Sequence, residues 1–83
     1  MVVGTDMTYY ERELLSSLIK HELRNITHQL SIYEGYSGMY NFRVELSRYK
    51  VIRVYLSIKD DVFNEREIER LRFEIAQYQL ELL

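Results

Sequence analysis

The 83-residue chain has no cysteine, no proline and no tryptophan, and only three glycines, at positions 4, 35 and 38. Without cysteine it has no disulfide staple, no thiolate zinc site and no Cys nucleophile, which fits a reducing, cytoplasmic setting. Without proline, and with glycine this scarce, there is little material for linkers, low-complexity tracts or internal repeats. No apolar run reaches the ~18 residues needed to span a bilayer, so no membrane partner is expected. Met1 to Met7 lacks the basic start and apolar core of a signal peptide and is expected to fray.

Enzyme signatures are missing as well. No glycine-rich loop is present to cradle a phosphate, and Ser16 and Ser17 lack a nucleophile-elbow context. The carboxylates are spread along helix faces, where they read as capping and solubility residues. The expectation is a non-enzyme with no catalytic residue, no cofactor and no metal site. A chain of this length makes one domain, residues 1–83, whose core is marginal enough that oligomerisation is a common supplement. Its size and missing motifs also fit a protein of a phage, virus or plasmid.

What is present is aromatic and asymmetrically charged. There are eight tyrosines, and the net charge is −2. Residues 39–59 carry Arg43, Arg48, Lys50, Arg53 and Lys59 against Glu45 alone, a net of +4. Residues 60–83 carry Arg66, Arg70 and Arg72 against seven carboxylates, a net of −4. The chain has a basic middle and an acidic tail.

The basic middle reads as a β-hairpin. Phe42, Val44 and Leu46 alternate with polar residues, and so do Ile52, Val54, Leu56 and Ile58. Period-two alternation in β-branched and aromatic runs marks half-buried strands. Pairing Leu46 with Ile52, Val44 with Val54 and Phe42 with Leu56 puts every apolar residue on one face. That register leaves Arg48-Tyr49-Lys50 as a three-residue loop.

Helices are expected on either side. Thr8 and Glu11 have capping-box spacing, and Leu15, Ile19, Leu23, Ile26, Leu30 and Tyr33 follow at steps of three and four, widened by Leu14 and Leu18. A helix over 8–34, closed by Gly35, would be about 40 Å long. Asn64 and Glu67 form a second capping box, followed by the stripe Ile68, Leu71, Ile75, Tyr78 and Leu82. Phe73, Ala76, Leu80 and Leu83 recur on the opposite side of the same helix. They are the expected oligomer interface, since a monomer's surface helix rarely needs two apolar stripes.

His21-Glu22-Leu23-Arg24-Asn25 resembles the phospho-accepting box of sensor histidine kinases, with Ile26 where that family usually has proline. The resemblance implies His21 as phosphoacceptor and Glu22 as its acid–base neighbour, on a long dimerising helix. His21 and His28 would lie about 10 Å apart along such a helix, too far to share one metal ion.

The expected fold is α+β in the order helix, β-hairpin, helix (αββα). Both helices pack on one face of the hairpin, and a dimer completes the fold through the second stripe, the long first helix or paired hairpin edges. The expected function is a non-catalytic regulatory interaction module, a homodimer that binds a protein partner. Its binding face gathers Arg43, Arg48, Tyr49, Lys50, Arg53, Tyr55 and Lys59. The rival reading gives the same basic hairpin to DNA or RNA, through phosphate contacts and base stacking. An acidic sequence pI of about 5.6 weighs against the rival.

Overall fold

The structure, a computed structural model, describes the backbone of residues 3–34 and 38–83 and the side chains of residues 9–33 and 38–83. The elements are α1 (Val3–Glu22), β1 (Gln29–Glu34), β2 (Met39–Ser47), β3 (Lys50–Ser57) and α2 (Asp61–Glu81). The class is α+β, as expected, but the order is αβββα. The three strands form one antiparallel sheet in the order β1-β2-β3.

The added strand comes from residues that the helical spacing had claimed. α1 stops at Glu22, where the Leu23 amide bonds to the carbonyls of Ile19 and Lys20, and Arg24 Nη1 donates to the His21 carbonyl at 2.7 Å. The segment that follows is rich in β-branched and aromatic residues (Ile26, Thr27, Ile32, Tyr33), and Gln29-Leu30-Ser31-Ile32 alternates polar and apolar. Helix propensity differences are worth at most about 0.7 kcal/mol per residue. Full burial of a Leu or Ile side chain contributes roughly 1.5–3 kcal/mol, and the partial burial of Leu30 and Ile32 recovers enough of it to favour the strand. Leu30 pairs with Val44 and Ile32 with Phe42, which sets both against the core. Thr8 does not start α1, because the backbone is already helical from Val3. Leu14 and Leu18 are exposed and do not widen the core. Gly35, the expected helix stop, and the Tyr36-Ser37 turn lie outside the described residues.

The hairpin is present with its register shifted by two. Val44 pairs with Ile52, Phe42 with Val54 and Tyr40 with Leu56, while Ser47 pairs with Lys50 across a two-residue Arg48-Tyr49 turn. Leu46 is the extra residue of a bulge between Glu45 and Ser47. A shift of two residues keeps every side chain on its expected face, which is why the core prediction survives the register error.

A single core collects Leu15, Ile19 and Leu23 from α1, Tyr40, Phe42, Val44 and Leu46 from β2, Ile52, Val54 and Leu56 from β3, and Ile68, Leu71 and Ile75 from α2. Tyr78 is partly buried against it, but Leu82, the last of its expected stripe, is exposed. The cap of α2 lies four residues before the expected one: Asp60 is the N-cap and its Oδ1 accepts from the Phe63 amide at 3.0 Å. That frees Asn64 and Glu67 for another task.

Candidate functional site

The side chains on the far side of the sheet from the core form rows set by the register. One row is Tyr33, Asn41 and Tyr55; the next is Ser31, Arg43 and Arg53; the third is Gln29, Glu45 and Val51. Alternation along each strand points these residues away from the buried Tyr40, Phe42, Val44, Ile52, Val54 and Leu56. Among the described residues no element covers this open face. Tyr33 is 51% exposed and Tyr55 40%. They flank β2 at two strand spacings, roughly 10 Å apart.

The electrostatics of the face are unbalanced. Arg43 and Arg53 stand directly opposite each other, an arrangement of like charges that costs stability in a sheet. Arg43 Nη1 meets Glu45 Oε1 at 3.1 Å on its own strand, whereas among the described residues the Arg53 guanidinium has no hydrogen-bond or ion-pair partner. Between the two tyrosines, the buried Oδ1 of Asn41 likewise has none among the described residues.

The expected basic face is therefore divided. Arg43, Arg53 and Tyr55 come together on the open face. Lys50 turns to the helix side, where its Nζ pairs with Glu74 Oε1 at 3.2 Å. Arg48 and Tyr49 project from the hairpin tip, with the guanidinium 6.0 Å above a ring that is 87% exposed. Lys59 lies past the opposite end of β3, its amide bonded to Ser57 Oγ. Tyr33 joins the face although its helical spacing had placed it in a core stripe. The alternation from Gln29 to Tyr33 was the signal that would have found it.

α2 does more than cover the core. Asn64 Oδ1 accepts from the Ser57 amide at 2.7 Å and its Nδ2 donates to the Ser57 carbonyl at 2.7 Å. Glu67 Oε1 accepts from the Tyr55 amide at 3.0 Å, and an Arg70 Nη donates to the Arg53 carbonyl. Spaced one helical turn apart, Asn64, Glu67 and Arg70 stand in for a neighbouring strand along the outer edge of β3.

A groove of about 670 Å³ runs between α1 and α2, floored by Leu18 and Ile68 and rimmed by His21, Asp61 and Glu65. Glu22, largely buried, accepts from Arg72 Nε at 3.0 Å and from Nη2 at 3.2 Å. That bond, and then the carboxylate's charge, raise the Arg72 pKa above its ordinary value, so this group stays a cation. His21 is exposed in the last turn of α1, and Leu23 to Asn25 form a turn, so the kinase-like box does not lie on one helix. His28 lies in the loop before β1 with Nδ1 2.7 Å from the Ile26 carbonyl, so no helical spacing relates it to His21. Among the described residues there is no cluster of three or more metal-ligating side chains, and no helix is long and apolar enough to cross a membrane.

The expected oligomer residues lie on the outward side of α2 and beyond its end. Phe73 is 64% and Leu80 62% exposed, and Ala76 and Leu83 are exposed too. Compared with protein families, with curated proteins and with solved structures, the chain matches none.

Proposed function

We propose that this chain is a non-catalytic, homodimeric binding protein of the cytoplasm that takes a protein partner on the open face of its sheet. The observation that carries this reading is the uncovered patch of Tyr33, Tyr55, Arg43 and Arg53. Tyrosine and arginine dominate interface energetics, because a rigid ring or planar fork buries area with little loss of rotamer freedom. Hot-spot truncations cost about 2 kcal/mol or more each, or roughly thirtyfold in affinity. Tyr55→Ala and Arg53→Ala remove outward side chains without touching the core. Each should leave the melting temperature nearly unchanged while weakening capture of the partner from host extract at least tenfold. Capture at full strength by both variants would end this reading.

The opposition of Arg43 and Arg53 favours a second reading, in which the partner is single-stranded nucleic acid with bases stacked on Tyr33 and Tyr55. A mobility-shift assay decides it. Phosphate contacts make affinity fall steeply as salt rises, and no shift at low salt removes the nucleic-acid reading.

A further inference from the structure

We propose that the outer edge of β1 is the homodimer contact. Two copies join β1 to β1 antiparallel about a two-fold axis at Ser31, making a six-stranded sheet with one continuous open face. The inference rests on the homodimeric reading above and names the contact that reading leaves open.

The argument starts from where the backbone groups go. In an antiparallel ladder, successive residues turn their N–H and C=O alternately to one neighbour and to the other. The Arg53 carbonyl, the Tyr55 amide and both groups of Ser57 bond to α2, so these residues face outward and Ile52, Val54 and Leu56 bond to Val44, Phe42 and Tyr40 of β2. β2 therefore turns Asn41, Arg43 and Glu45 toward β1, where they meet Tyr33, Ser31 and Gln29. Leu30 and Ile32 are left with both backbone groups pointing out of the sheet. Among the described residues, no hydrogen bond reaches either of them from outside it.

The two edges are treated in opposite ways. Along β3, three successive helix side chains cap four of the six outward groups of Arg53, Tyr55 and Ser57: the Arg53 carbonyl, the Tyr55 amide and both groups of Ser57. Along β1 there is no proline and no bulge, and among the described residues no capping side chain; of the outward positions Leu30, Ile32 and Glu34, only the last, at the strand's end, carries a charge. Exposed edges are ordinarily blunted by such devices. An edge left open beside one so thoroughly closed is shaped for another strand.

The strand that fits is a second β1. A two-fold axis at Ser31 sets Leu30 opposite the partner's Ile32 on the core side and Gln29 opposite the partner's Tyr33 on the open side. Apolar meets apolar, and the four outward groups of each copy find partners. A register centred on Ile32 would set Leu30 against Glu34, and a slip of one residue would turn the apolar side chains to the wrong face. The pairing also extends the candidate site. The row Arg53, Arg43, Ser31 continues into the partner's Ser31, Arg43 and Arg53, four arginines in a line roughly 24 Å long at about 4.8 Å per strand. The face of one copy, three strands by six residues, spans only about 280 Å² in projection. A standard interface buries about 800 Å² per side, so one copy offers a small platform and two offer a useful one.

The test uses the chain's lack of cysteine. Ser31→Cys puts a single thiol at the axis, in a pair whose Cα atoms would be about 4.5 Å apart, within disulfide range. On mild oxidation it should form a covalent dimer quantitatively, while Tyr49→Cys at the exposed hairpin tip should not. Ile32→Pro removes an outward amide that the intrachain ladder does not use, and should halve the mass seen by light scattering with the far-UV spectrum unchanged. A wild-type dimer that shows neither the Ser31→Cys link nor any change with Ile32→Pro overturns the proposed contact while leaving the homodimer standing. A wild-type chain that stays monomeric at all concentrations overturns both.

Discussion

At the scale of single residues, Gly38 and Asn64 hold the fold at places where no other side chain serves. Gly38 opens β2 with φ +77°, and a Cβ there would sit 2.7 Å from Ile58 Cγ2. Left-handed backbone costs an L-residue about 1–2 kcal/mol before any clash is counted. Gly38→Ala should therefore lower the melting temperature by about 5–15 °C, on a scale of 4–8 °C per kcal/mol for a domain this small. Asn64 is buried, and its amide satisfies both backbone groups of Ser57. Asn64→Leu keeps the volume and leaves that N–H and C=O without partners. At about 1–3 kcal/mol for each of the two unmet buried groups, urea denaturation should show a loss of about 2–6 kcal/mol. The residue's capping-box spacing with Glu67 was visible in the sequence; its real partner, Ser57, was not, because the contact depends on how α2 lies against β3.

At the scale of elements, α2 is both a wall of the core and the cover of an edge. Its inward residues Ile68, Leu71 and Ile75 were legible from their spacing, because a 3.6-residue period needs no knowledge of the partner. The edge cover has no period of its own. It can be checked by amide exchange: Glu67→Ala should speed exchange at Tyr55, whose N–H faces the helix, and leave Val54, whose N–H faces β2, slow. The stability change should be under about 1.5 kcal/mol, the net worth of an ordinary hydrogen bond. Equal acceleration at both positions would mean that the helix acts on the strand as a whole. The α1–β1 junction is where periodicity misled. Ile26, Leu30 and Tyr33 continue the helical stripe, yet Leu30 and Ile32 also alternate with Gln29, Ser31 and Tyr33. Short apolar runs satisfy both templates, and only the exposed flank of β2 decides between them.

At the scale of the whole molecule, the proposed homodimer has three candidate surfaces: the α1–α2 groove, the outer row of α2 and the edge of β1. The outer row runs Val62, Arg66, Glu69, Phe73, Ala76, Leu80 at heptad-like spacing, so two charged residues interrupt it and its continuous apolar part is short. Phe73→Asp with Leu80→Asp should leave the mass by light scattering unchanged and shift stability by no more than about 0.5 kcal/mol per site, as for ordinary surface substitutions. Loss of the dimer in that double variant would move the contact to α2.

Alternation and helical spacing are local properties of the chain, and they suffice for the α+β class, the hairpin faces and nearly all of the core. The division of charge between a basic middle and an acidic tail is likewise legible in the chain. Tertiary structure alone decided that Leu30 and Ile32 belong to a strand, that Tyr33 joins Tyr55 across Asn41, and that Lys50 leaves the basic face for Glu74. It also decided that one sheet edge is covered and the other is open. These depend on which segment lies beside which, and burial energy between distant segments settles that where local propensity is nearly balanced.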